Sequence, residues 1–491
     1  MSKKRILHNT LIVMAGTLAS RVLGVVRQGV LNNFFDKALT DAFLVAYRVP
    51  NLFREILAEG AVTNALIPVL AELPEGERER FKRRFAAFLL GVNLLVVGLG
   101  VLFAPQLAAL LLAADTPLDP GLVTYLIRLV MPFLLAISMS ALFGAFLQSE
   151  ERFFGPSFAP LAYNAAAIAV MLAWPGSATA LALAYVLGGF LQAAVQVPAL
   201  KGFALELAWH PAIRQASLLM APFVFTTSTR QFLIVVLYAL ITGMPEGAVT
   251  GFSNADMTYL MALGLFSVSP ATALYPRLSA LAAAGDGAGF ARLLGQGLER
   301  VAVLLGWSGA LMAALAPWIV AVLFAWKPGF DADVFRFSVE AMRALGLALV
   351  PWGLYNLYVR GLYAQKLIRV AVQISAGLLL LNTLGYYLLV PYGMFVLNLA
   401  TLGAGLVGLG WMVVLYGREK VLEPARQGAL VLKVALAMLG GGFAAGWAAA
   451  GVGPARDLAV SLLPLLAGAA AGSAVYFLAA RLLGLPVRLG R

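Results

Sequence analysis

The chain has no cysteine and only two histidines, His8 and His210, far apart along its 491 residues. The first absence excludes disulfides, thiol nucleophiles and cysteine-ligated clusters. The second leaves no basis for a histidine metal site or a His-based catalytic relay. Charge is scarce as well: 12% of residues are Asp, Glu, Lys or Arg, against 62% hydrophobic, with a mean hydropathy of +0.89. No soluble globular domain has so little polar surface. No GxxxxGK[ST] segment is present, so nucleotide-driven pumping has no support. No cofactor, metal or nucleic-acid partner is expected.

Apolar runs of twenty or more residues recur from end to end. They are long and not alternating, and lipid offers bare backbone no hydrogen bonds, so they read as membrane-spanning helices. The opening "MSKKRIL" imitates a signal-peptide leader, but the apolar stretch behind it is too long and is interrupted by arginines. It reads as a retained first helix. Fourteen spans are expected, at 8–35, 40–70, 85–113, 121–149, 154–174, 177–200, 213–242, 248–282, 298–325, 335–364, 368–390, 394–416, 427–449 and 457–483. Between them stand breakers such as "DTPLDPG", "WPGS", "GMPEG" and "WKPGFDAD". Basic residues crowd the even-to-odd connections, most densely in "GERERFKRRF" at 76–85, whereas the opposite loops offer Lys37, Lys327 and Arg456. By the positive-inside rule both termini are cytoplasmic. The basic run could also meet anionic membrane lipids.

A weak internal repeat is present. "LIPVLAEL" at 66–73 is similar to "LYPRLSAL" at 274–281, and "GAFLQSEER" at 144–152 to "GLYAQKLIR" at 361–369, at offsets of 208 and 217. Two parallel six-helix lobes follow, 1–205 and 206–420, with two further helices in 421–491.

Charges inside the spans concentrate in the first two. Arg21, Arg27, Asp41, Arg48, Arg54, Glu55 and Glu59 lie there, four arginines against three acids. A buried arginine costs from ~2.5 kcal/mol to well over ~10, so each must be paired or used. Ser20, Gly24 and Arg27 follow one helical stripe, which puts small residues beside an arginine. Pro50 removes an amide from the middle of the second span and is the expected hinge. Mutual pairing as structural glue is the bland reading. The arginine excess favours an anion-binding cavity instead, with phosphate or pyrophosphate the best fit to guanidinium.

The stretches "SRVLGVVRQ" at 20–28 and "TDAFLVAYRVPNLFREILAEGAVTNALIPVL" at 40–70 resemble the opening of the MurJ/MviN family, the lipid II flippases of bacterial cell-wall synthesis. The resemblance implies an all-α polytopic fold of the multidrug/oligosaccharidyl-lipid/polysaccharide exporter superfamily and alternating access. It also implies a cationic inter-lobe cavity for the pyrophosphate of lipid II, and a tail groove formed with the last two helices. Arg21, Arg27, Asp41, Arg54 and Glu59 match family positions; Arg48, Ser20 and Gly24 join them from the residue pattern. Family members often carry an aspartate after the second arginine and an arginine after "AD" in helix 8, where this chain has Gln28 and Met257. Arg230, on helix 7, is the candidate substitute cation. A bacterial inner-membrane location and transient contact with cell-wall synthesis enzymes are further implications. The alternative is export of another polyprenyl-pyrophosphate-linked oligosaccharide. A membrane enzyme would need clustered acids in its loops, which are short and supply none.

Overall fold

The computed structural model describes residues 3–57, 62–200, 203–451 and 458–487, with side chains described throughout except at 3–10, 55–57, 63–64, 221–230 and 232–233. Among the described residues the chain is helical and has no strand. Packing divides it into Met1–Val249 and Thr250–Arg491.

The first unit contains α1 (Lys3–Phe34), α2 (Lys37–Leu57), α3 (Thr63–Glu72), α4 (Glu75–Leu102), α5 (Ala104–Leu111), α6 (Pro120–Val130), α7 (Phe133–Ser149), α8 (Phe154–Ala173), α9 (Ala178–Ala194) and α10 (Pro211–Ile241). The breaker loops supply the caps. Asp119 of "DTPLDPG" accepts from the Gly121 amide at 2.8 Å, and Ser177 of "WPGS" from Ala180 at 3.2 Å. Two expected spans are each divided by a proline that restarts the helix. Span 85–113 turns at Phe103, ahead of Pro105, and span 121–149 turns at Met131 and Pro132. Helix α1 lies along α8, and α8 along α9, while α2 meets α6, α7 and α10. Phe81, Phe85, Leu142, Phe146 and Ile213 form an apolar core under α3, α4, α7 and α10. Because α10 packs on α2, α3 and α5, the packing division falls after Val249, whereas the repeat draws its lobe boundary at 205.

The second unit runs through α11 (Ala248–Leu263), a π-turn at Gly264–Val268, α12 (Ser269–Ala283), α13 (Gly287–Ala314), α14 (Ala316–Phe324), α15 (Ala332–Ala364), α16 (Ile368–Leu389), α17 (Met394–Arg418), α18 (Pro424–Ala450) and α19 (Leu458–Leu482). Helix α15 is its axis, packed on α13 and α17. The pair α18–α19 is fixed to α13 by the Trp307 indole donating to Ser473 at 2.9 Å and the Tyr476 hydroxyl donating to the Val303 carbonyl at 2.7 Å.

Both repeat matches fall on like structures. Pro68 lies inside α3 and Pro276 inside α12. The α7–α8 and α15–α16 turns are closed alike: Arg152 donates its amide to Leu147 and Leu367 to Leu362, around Glu151 and Lys366 at φ 60° and 62°. The hydrogen bonds and positive-φ residues of the two turns correspond at an offset of 215, two residues from the sequence match. A third such turn, at Lys420, joins α17 to α18.

Eleven helical segments among the described residues are long and apolar enough to cross a membrane. The expected spans at 40–70, 213–242 and 335–364 are not among them. These hold much of the buried charge, and 58–61 and several side chains of α10 lie outside the described residues.

Candidate functional site: buried arginines in the first unit

Arg27 is half-buried on α1, with its guanidinium 4.8 Å from the ring centroids of both Tyr163 and Tyr185. Tyr47 of α2 meets Tyr185 at 5.0 Å, and Phe43 and Phe133 complete the aromatic wall. Cation–π attraction of ~0.5–2 kcal/mol per ring thus holds the arginine where a carboxylate would otherwise be needed. Its Nε is buried without a hydrogen-bond partner, as is the Tyr163 hydroxyl. Arg48, one residue beyond Tyr47, turns to α10. Its guanidinium lies 4.2 Å from the Tyr238 ring, and its Nε is also buried and unpartnered.

Neither Arg21, Arg27 nor Arg48 forms an ion pair among the described residues. The glue reading requires such pairs. Asp41, its most obvious acid, is 2% exposed and accepts from the Gly247 amide at 2.7 Å, in the connection between α10 and α11. Gly247 sits at φ 93°, a conformation that suits glycine. Asp41 therefore ties α2 to that connection.

The remaining expected residues are more dispersed. Arg21 is half-buried. Arg54 donates from Nε to Asn51 on its own helix at 3.0 Å. The Ser20 carbonyl accepts from the Asn164 amide at 3.3 Å, which ties α1 to α8, and Gly24 is buried in the same helix. Pro50 is buried inside α2, which continues to Leu57. Glu59 lies outside the described residues, as do the side chains of Glu55 and Arg230. Gln28 is buried and reaches Asn32 at 3.4 Å. The tyrosines were not legible as site residues; the available signal was a buried phenol on the small-residue helices α8 and α9, where a polar tip needs a partner.

A solved structure described as "Lipid II flippase MurJ, inward closed conformation" superposes with a TM-score of 0.78 over 96% of this chain and 99% of that one, at 19% identity. An inward-facing multidrug resistance MATE family transporter of the MOP superfamily gives a TM-score of 0.65 over 85% and 99%, at 11% identity. The chain thus has the all-helical, multi-pass fold of these two structures. The sequence profile described as "Lipid II flippase MurJ" matches residues 30–450. A Burkholderia cenocepacia protein named lipid II flippase MurJ is 31% identical over 408 residues, 78% of either chain. A probable lipid II flippase MurJ of Bdellovibrio bacteriovorus is 27% identical over 453 residues, 88% of this chain and 86% of that one. The chain belongs to the MurJ family.

Proposed function

We propose that this protein moves lipid II from the cytoplasmic to the outer leaflet of the bacterial inner membrane by alternating access, with both termini cytoplasmic. Arg27 and Arg48, assisted by Arg21 and Arg54, receive the pyrophosphate. The observation that carries this is the burial of two arginine Nε groups without hydrogen-bond partners, on guanidinium groups that face tyrosine rings and, among the described residues, no carboxylate. Aromatic faces leave the N–H edge of a guanidinium free, and that edge is what binds a phosphate bidentately. Asp41 and Pro50 serve the movement of α2, as latch and hinge. The helices of 421–491 take the polyprenyl tail. Outward movement of an anionic head group can draw on the membrane potential, about 2.3 kcal/mol per charge per 100 mV.

The deciding experiment is growth after depletion of a known lipid II flippase. The parent chain restores growth and, in liposomes, changes the leaflet of lipid II without altering it chemically. Arg27→Ala and Arg48→Ala reach the membrane but do not restore growth. Transport of another polyprenyl-pyrophosphate glycan, without lipid II, would favour the alternative cargo. Normal transport by both alanine variants would refute the arginine assignment.

A further inference from the structure

Away from these arginines, the first unit has a groove of about 600 Å³ against α8, closed at one end by the turn into that helix. Ile12 of α1 and Phe154, Phe158, Ala159 and Ala162 of α8 line it, and Arg152 stands at the turn. Both helices belong to membrane-spanning segments, so the apolar part of the groove opens among lipid chains. From Phe154 to Ala162 the helix rises about 12 Å. A leaflet's hydrocarbon is about 15 Å deep, so the groove accepts most of one acyl chain. Phe154 and Phe158 stack at 4.7 Å along it.

Arg152 stands on a rigid platform, because its own amide closes the α7–α8 turn on Leu147 at 2.8 Å. One guanidinium nitrogen donates to the Ala199 carbonyl. The neighbouring Glu150 approaches only to 3.8 Å, and its other oxygen is taken by Lys82 at 2.6 Å. The remaining N–H donors of a partly exposed arginine are thus available at the polar end of an apolar slot.

We propose that this groove is a binding site for an anionic phospholipid, with one acyl chain along α8 and the phosphodiester on Arg152. One cation beside an engaged carboxylate suits a singly charged phosphodiester better than a pyrophosphate. A slot ending after two helical turns suits an acyl chain better than a long polyprenyl chain. Bound there, the lipid fastens α8, the helix that carries Tyr163, to α1.

The test uses the full chain in nanodiscs of phosphatidylethanolamine containing trace phosphatidylglycerol with a diazirine in mid-chain. After irradiation, label should concentrate on residues 153–162, and phosphatidylglycerol should displace it several-fold better than phosphatidylethanolamine. Arg152→Gln keeps a donor for Ala199 and should abolish that preference. Ala162→Phe fills the slot and should remove the label. Should the second variant not reach the membrane, the first decides alone. Labelling of 153–162 no stronger than that of the exposed face of α16 would overturn the proposal. So would an unchanged preference in Arg152→Gln, or stronger displacement by polyprenyl phosphate than by phosphatidylglycerol.

Discussion

Arg27 shows how a membrane protein can hold a cation by aromatic rings, with no ion pair among the described residues. Rings at 4.8 Å on α8 and α9 offset part of its desolvation and leave its charge in place. Tyr185→Phe, which keeps the ring, should retain most transport; Tyr185→Leu should lose most of it at an equal membrane level, as measured in liposomes. Arg27→Lys keeps the charge without the fork and should be partly active. If Arg27→Ala is inactive while Tyr185→Leu transports normally, the aromatic wall has no part in placing the arginine. The sequence alone singled out Arg27 from its depth and its small neighbours. It could not name Tyr163 and Tyr185, because nothing local to α1 indicates which helices pack on it. The same limit applies to Asp41, whose spacing along α2 could not reveal that it accepts from the Gly247 backbone amide.

Among the elements, the breaker loops were the most legible parts, since their effects are local, whereas Pro105 and Pro132 divide spans that were expected to be continuous. Pro50→Ala restores a backbone bond in α2 and should stiffen it. Labelling of a cysteine introduced near Arg54, in a chain with none of its own, should change in parallel with transport. Helices α18 and α19 depend on close backbone approach instead: a Cβ at Gly472 would lie 2.6 Å from the Ala445 Cβ and 2.9 Å from the Gly441 carbonyl oxygen. Gly472→Val should therefore separate the pair, costing about 1–3 kcal/mol and lowering the melting temperature. In the α9–α10 connection, hydrogen bonds from Arg84 at 2.6 and 2.9 Å hold the Glu206 carboxyl below its usual pKa. A depressed carboxylate contributes stability above its unfolded pKa and loses it as the pH falls through the folded value. Glu206→Gln should accordingly flatten the acid side of the melting-temperature profile, below about pH 5.

At the scale of the whole molecule, the resemblance implies a cation where this chain has Met257, and Arg230 is the proposed substitute. If Arg230 substitutes for the residue at Met257, Arg230→Ala should abolish transport, Met257→Arg should partly restore it, and adding Gln28→Asp should improve the rescue. Full activity of Arg230→Ala in the depletion strain would remove Arg230 from the mechanism. The sequence by itself determined the solvent, because 62% hydrophobic residues in runs of twenty or more can fold only in lipid and only as helices. It also located eleven spans that the described helices match, since hydropathy and breakers are read within one segment, and the family, through ordered motifs in α1 and α2. Tertiary structure decided what each buried charge meets. It placed Arg27 against tyrosines of α8 and α9 and Arg48 against Tyr238, put Asp41 on the Gly247 amide, and grouped α10 with the first unit. Those outcomes depend on contacts between helices far apart in the chain, where many apolar faces are interchangeable by composition and only their packed shapes select the partner.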